Sequence, residues 1–362
     1  MAIWKIDELG EFVTLKRGYD LPQQKRKNGE IPIFSSSGVT GTHNEAMVEA
    51  PGVITGRYGT IGEVFFAETS FWPLNTTLYV EKFHENDEKF VYYFLKTLEW
   101  KKFASASAVP GINRNTVHKE IVRFPDFETQ QKIASVLSTI DKKIAVNKAI
   151  NDNLEQQAAA LFSSLYNRSN TEVRYTDLIQ ILGGGTPKTG ETAYWNGNIA
   201  FFTPKDVGTP YTLITEKTIT EEGLSHCNSR LYPVNTVFVT ARGTVGKVGL
   251  SGIPMAMNQS CYALVGKETH QLLVYFYTLK AVDRLKHKAS GAVFDAITTR
   301  DFDSEQIMKL SDDDAKAFLC VAEPMFQEML NNSIENLRLS TLRDFLLPKL
   351  MSGEIDVSSV QL

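Results

Sequence analysis

The chain has 362 residues, more than one ordinary domain accommodates, so two domains are expected, and a hydrophobic content of 43% is enough to build their cores. A net charge of −4 argues against an indiscriminate nucleic-acid coat; residues 1–127 hold 15 Lys+Arg against 16 Asp+Glu, so a basic face there has to come from arrangement. No apolar run is long enough to cross a bilayer, "MAIWKIDELGEF" lacks the layout of a signal peptide, and Cys227, Cys261 and Cys320 form neither a CxxC pair nor an even framework, which suits a reducing cytoplasm.

The first part of the chain reads as short strands between Gly and Ser punctuation. "IPIFSSSGV", "GVITGRYG", "EVFFAE" and "TTLYVEKF" carry the β-branched and aromatic residues. Apolar spacing in "NDEKFVYYFLKTLEWKKFA" predicts a helix over 86–104. A longer helix follows over 126–166, which contains neither Gly nor Pro; Asp126 is placed to cap it and Glu128 sits in its first turn. Ile133, Leu137, Ile140, Ile144, Asn147, Asn151, Leu154, Ala158, Leu161 and Leu165 alternate by four and three, a coiled-coil seam with two asparagines at its centre. At 1.5 Å per residue about 39 residues reach roughly 58 Å, and the polar Asn147–Asn151 step favours an exposed seam over a long core helix.

The pattern then repeats. "TGRYGTIG" from Thr55 matches "TARGTVG" from Thr240 if one residue is deleted, which pairs Arg57 with Arg242. "FWPLNTTLYV" resembles "PMAMNQSCYAL", pairing Asn75 with Asn258 and Tyr79 with Tyr262, and "INRNTVHKEI" parallels "ITTRDFDSEQI". Constant order at a nearly constant offset indicates tandem duplication. The second unit closes on a second long helix over 311–355, capped by Ser311, in which Pro324 is expected to break the helix or open a fresh one. Phe326, Leu330, Ser333 and Leu337 continue a seam, with Leu342 and Leu346 beyond, and Pro348 and Gly353 mark the end. Antiparallel packing of the two helices would put the two globules at opposite ends of a rod.

No Walker A spacing, GxSxG elbow, HExxH pair, Cys/His cluster or S-adenosylmethionine loop is present, so the sequence offers no catalytic or metal constellation. What remains is polar decoration on strand–turn scaffolds. In the first unit it comprises Lys16, Arg17, Lys25, Arg26, Lys27, Ser35, Ser36, Ser37, His43, Asn44, Arg57, Tyr58, Thr60, Asn113 and Arg114. In the second it comprises Thr186, Lys188, Thr189, Trp195, Lys205, Arg242, Thr244, Asn258, Gln259 and Arg300. Arg, Asn, Gln and Ser are suited to base edges, and Lys, Thr and backbone N–H groups to phosphates, while Asn75 and Asn258 read as turn or strand-end residues rather than base readers. The alternative is ordinary solvated loops, with the glycines permitting tight turns and each arginine pairing a nearby carboxylate.

Taken together, "RGYDLP", "IPIFSSSGVTGTHNEA", "GVITGRYGTIGEVFF" and "VPGINRNTVHKEIVRFPDFETQQKIASVLSTIDKKI" closely resemble the first half of a type I restriction–modification specificity subunit. "GGGTPKTGETAYWNGNIAFFTPKDV", "VFVTARGTVGKVGL" and "LRDFLLPKLMSGEI" resemble its second half. The resemblance implies an α+β chain: two tandem mixed α/β target-recognition domains, 1–127 and 168–311, separated by two long antiparallel coiled-coil helices, 128–167 and 312–355, in a pseudo-two-fold arrangement with a tail at 356–362. It further implies a non-catalytic subunit that binds double-stranded DNA at a bipartite site. Its partners would be two modification (methyltransferase) subunits and restriction/translocase subunits, with S-adenosylmethionine, ATP and Mg on those partners and no cofactor of its own. In that reading the Arg57 and Arg242 turns approach DNA, Lys16, Arg17, Lys25–Lys27, Lys188 and Lys205 hold phosphates, and the Ser35–Ser37 and Thr186–Lys188 loops lie near bases. A single-chain restriction/methyltransferase enzyme and a coiled-coil scaffold with two protein-binding heads are the alternatives.

Overall fold

The structure, a computed structural model, describes residues 3–105, 110–288 and 296–360. The predicted domain ranges and the tail also run over residues 1–2, 106–109, 289–295 and 361–362, which lie outside the described ones. The chain forms two compact units, one from Met1–Ile144 with Arg338–Leu362, the other from Ala145–Leu337.

In the first unit an antiparallel sheet runs in the order Thr14–Arg17, Thr77–Lys82, Gly52–Gly56, Val64–Ala67. A second sheet places Ile31–Ser35 between Gly38–His43 and Trp72–Pro73, and a ribbon pairs Trp4–Glu8 with Ile121–Pro125. Gly52–Gly56 is buried along its whole length because both faces are covered. Val53 faces the helix Glu88–Thr97 and its cluster of Phe90, Phe94 and Leu95, whereas Ile54 faces Phe34, Phe71 and Tyr79. Asp87 caps that helix by accepting from Phe90 N at 2.7 Å. The helix ends at Thr97, earlier than the apolar spacing predicts, and Trp100–Phe103 forms a separate 3-10 turn whose indole donates to Leu95 O at 2.8 Å.

The second unit repeats this topology. Ile179–Gly183, Cys261–Gly266, Val237–Thr240 and Val248–Ser251 form the same antiparallel order, extended by Tyr211–Thr212. Trp195–Phe202 lies between Lys217–Ile219 and Met255–Met257, and Thr171–Arg174 pairs with Gln306–Lys309. The helix over its sheet, Gln271–Lys288, is longer than its counterpart and carries Phe276, which stacks on Phe162 at 4.9 Å.

Two long helices, Phe127–Arg168 and Asp312–Ser352, follow the two strand-rich parts in the chain. Asp126 accepts from Thr129 N at 3.0 Å and Ser311 from Asp314 N at 3.1 Å, the same cap in each. Every seam residue read from the first helix is buried or half-buried. Within the second unit Asn147 donates to Glu335 at 2.6 Å and to Asn336 at 3.0 Å, while Asn151 donates to Met329 O at 3.1 Å and Ser333 at 3.2 Å. Partner numbers fall as the first helix advances, so the helices run antiparallel there. Within the first unit Arg343 donates to Asp141 at 2.7 Å and Tyr93 donates to the other carboxylate oxygen at 2.6 Å.

Pro324 does not break the second helix, contrary to the sequence expectation, and Pro348 lies inside it rather than at its end. A mid-helix proline costs about 3 kcal/mol. Both prolines face solvent, where the carbonyls they orphan meet water, while Phe318 and Phe326 flank Pro324 at 0% and 3% exposure. Burial of two phenylalanines, at about 1.5–3 kcal/mol each, offsets the penalty. The second seam also drifts from its reading: Leu330 is buried and Leu337 half-buried, but Leu342 is 45% exposed and Met329 and Asn332 take up inward positions.

Candidate nucleic-acid interface

The turn that opens "GRYGTIG" is tied down from three sides. Arg57 N and Tyr58 N both donate to Thr76 O, at 2.9 and 3.3 Å; Ile112 N donates to Arg57 O at 3.1 Å; and Gly62 N closes the turn on Gly56 O at 3.3 Å. The second unit repeats each bond. Ala241 N and Arg242 N donate to Ser260 O at 2.8 and 3.2 Å, Ile297 N to Ala241 O at 2.9 Å, and Gly246 N to Thr240 O at 2.8 Å. No residue is deleted. Arg57 therefore corresponds to Ala241, and Tyr58 to Arg242, which corrects the pairing of the two arginines. The same register makes Leu74, not Asn75, the counterpart of Asn258, since Thr77 N and Cys261 N donate to their carbonyls. Tyr79 lies opposite Ile54 as Ala263 lies opposite Phe238, so Tyr79 does not match Tyr262. The left-handed glycines match without a gap: Gly59 and Gly62 have φ of 75° and 84°, Gly243 and Gly246 of 81° and 75°.

Each turn borders a recess. The first, about 550 Å³, is lined by Lys16, Arg17, Arg57, Tyr58, Asn113 and Arg114 among others. Lys16 and Arg17 project from the sheet's edge strand; Arg114 opens a short helix whose cap, Asn113, accepts from Asn115 N at 3.0 Å. Lys16 pairs with Glu81 at 2.6 Å, and that hydrogen bond holds its ammonium above the ordinary lysine value. Arg17 lies 3.7 Å from Asp20. Arg57 pairs with no carboxylate among the described residues: its Nε donates to Ile112 O at 3.1 Å and its guanidinium lies 4.5 Å from the Tyr58 ring centroid. The second recess, about 410 Å³, is lined by Thr203, Lys205, Lys217, Arg242, Thr244 and Asn258 among others. Lys205 and Glu216 pair at 3.4 Å, and Thr244 donates to Pro204 O at 3.3 Å.

Other predicted residues lie around these recesses. Ser35–Ser37 form the hairpin turn between two strands, with Ser35 and Ser37 hydroxyls 3.1 Å apart, and Ser36 adjoins Gly59. Phe34 O and Phe202 O receive equivalent bonds from Leu74 N and Asn258 N, so Ser35–Ser37 and Thr203–Lys205 are counterparts. Thr60 is exposed on the first turn. Lys25, Arg26 and Lys27 sit at and after the 3-10 turn Gln23–Lys25, apart from the first recess's lining, with Arg26 Nε buried. Thr186 hydrogen-bonds Gln259, as Asp20 does Asn75; Lys188 accepts the Trp195 indole on its carbonyl; neither lines the second recess. Arg300 is exposed on the short helix Thr299–Asp303. Asn113, read with Arg114 in the sequence, lines the first recess, whereas sequence reasoning passed over Lys217, an isolated polar residue with no repeated motif around it.

The sequence profile described as "Type I restriction modification DNA specificity domain" matches residues 1–156 and 167–309. This chain belongs to that type I specificity family. Among its relatives, the specificity subunit of type I restriction enzyme HindI from Haemophilus influenzae is 25% identical over 345 residues, covering 72% of this chain and 75% of the relative. The specificity subunit of EcoR124I/EcoR124II from Escherichia coli is 29% identical over 204 residues, covering 52% of this chain and 50% of the relative. The crystal structure of the type I restriction–modification S subunit from M. genitalium shares the fold with a TM-score of 0.67 at 17% identity, over 96% of both chains. The duplicated topology and paired recesses described above are thus the features of a type I specificity-family chain. Among its described residues no helix is long and apolar enough to cross a membrane, and no group of three or more His, Cys, Asp or Glu is arranged to hold a metal.

Proposed function

We propose that this chain is the non-catalytic DNA-specificity subunit of a type I restriction–modification complex, acting in the cytoplasm. Residues 1–127 and 168–311 each recognise one half of a bipartite double-stranded site. The helices 128–167 and 312–355 set the stride between the halves and dock two methyltransferase subunits, to which the restriction subunits add. Methyl transfer, cleavage and their cofactors, S-adenosylmethionine, ATP and Mg, belong to those partners.

The observation that carries this reading is the repetition of one turn on one sheet topology, each time beside a recess lined by Arg and Lys, in a chain whose two halves both match the specificity domain. A reader of two half-sites needs two such surfaces; a single-site binder does not. Lys16, Arg17, Arg114, Lys205 and Lys217 supply phosphate contacts, which position without specifying, while Tyr58, Asn113, Arg242 and Asn258 have the chemistry for base edges.

Selection from a randomised duplex pool tests the proposal, with the full chain bound to its modification subunits. A split motif, two short determined blocks separated by an undetermined spacer of fixed length, is the expected result. Enrichment of a single uninterrupted block, or of nothing, would overturn it.

A further inference from the structure

The hydrogen-bond register assigns Tyr58 and Arg242 to one position, and we infer that this position sets base preference under the turn in each unit, while Arg57 is a positioning residue. The inference rests on the DNA reading above and adds which side chain in each head discriminates.

Arg57 is half-buried and already committed. Its Nε is bound to Ile112 O at 3.1 Å and its guanidinium lies against the Tyr58 ring at 4.5 Å. Those contacts join the turn to the loop at Gly111–Ile112 and hold the neighbouring ring still. Its counterpart Ala241 is buried and carries no polar group, so the second turn closes without such a brace. Arg242 is exposed, and among the described residues its guanidinium has no partner.

The residues opposite differ in the matching sense. Tyr58 bridges Gly111, and Arg242 bridges Ala296. A β-carbon on Gly111 would overlap the Tyr58 ring, so the ring needs glycine there, and the second unit has none to offer at Ala296. Each head has therefore fitted its bridge partner to a different side chain: a clamped aromatic plate in one, a free planar fork in the other. A free fork is suited to the bidentate contact with guanine O6 and N7; a fixed ring with a hydroxyl at its tip is suited to packing and a single hydrogen bond.

The test repeats the duplex selection with the full chain and its modification subunits, comparing Arg242→Ala, Tyr58→Ala, Arg57→Ala and Arg57→Lys, each first checked for an unchanged unfolding midpoint. Arg242→Ala is expected to erase a guanine preference in one half-site, a loss of roughly 5- to 150-fold in discrimination, and to leave the other half intact. Tyr58→Ala should alter only that other half. Arg57→Ala and Arg57→Lys should lower affinity for the selected duplex while leaving the order of base preferences unchanged. The inference is overturned if Arg57→Ala erases a preference that Tyr58→Ala leaves alone, or if Arg242→Ala weakens all duplexes evenly. Failure of the unaltered complex to enrich any split motif would instead remove the DNA reading itself.

Discussion

Asn332 donates to Asn151 at 3.0 Å across the two long helices, and both side chains are buried. Asn151 in turn donates to Met329 O and Ser333, so its polar atoms are matched by one stretch of the facing helix. A one-turn slip would leave these amides in an apolar seam. Substituting Asn151 by Ala strands Asn332, which should cost about 1–3 kcal/mol, read as a lower urea midpoint of helical signal. Asn151→Leu with Asn332→Leu should recover most of that loss, because neither amide is then left unpaired, while loosening the register. An Asn151→Ala chain as stable as the parent would show that the pair does not hold the seam.

Gly59 and Gly62 share a positive φ but not a neighbourhood. Either substitution by Ala pays for a left-handed backbone, about 1–2 kcal/mol. At Gly59 the new β-carbon would meet only Ser36 Oγ at 3.4 Å, whereas at Gly62 it would lie 2.7 Å from Trp100 Cβ, whose indole is buried and hydrogen-bonded. Gly62→Ala should therefore lower the thermal midpoint clearly more than Gly59→Ala. Equal losses would mean that Trp100 yields and the close approach is immaterial.

These two turns also show where the sequence was legible. The first seam, from Ile133 to Leu165, could be read because no Gly or Pro interrupts its period and burial follows it residue by residue. The turn register was misread because two arginines one place apart drew the alignment, whereas the glycines, whose φ is physically constrained, align without a gap. Pro324 was misread because a local penalty was weighed without the packing of Phe318 and Phe326. Gln271–Lys288 gave little signal because its consecutive residues Leu272–Thr278 are all buried, which blurs any amphipathic period. Lys217 joins Arg242 and Asn258 at the second recess only through the fold.

His118 connects the first recess to acid. Its Nε2 accepts from Leu15 N at 2.8 Å, so the native ring is neutral at that atom, and burial, aided by the Arg114 charge, holds its pKa below the ordinary 6.5. The native state thus binds fewer protons than the unfolded chain through the window from 6.5 down to the lowered value. Stability is fully present above 6.5 and is lost as pH falls through that window. Urea midpoints measured from pH 7.5 to 5 should decline in the parent and decline less in His118→Gln. Parallel curves would assign the acid sensitivity to other groups.

Arg114 stands on the recess rim, exposed, and has no ion-pair partner among the described residues, unlike Lys16 and Arg17. A free cation releases a counterion when it meets phosphate; one already paired with a carboxylate must first give up that partner. Arg114→Ala in the DNA-binding complex should reduce the slope of log affinity against log salt by about 1, with the order of preferred duplexes unchanged. Lys16→Ala should change the slope less, because Lys16 is already paired with Glu81 and displaces less of the counterion atmosphere on meeting phosphate. A larger slope change for Lys16 than for Arg114 would place the phosphate path along the sheet edge instead of the Asn113-capped helix, and a change in base preference on losing Arg114 would make it a reader.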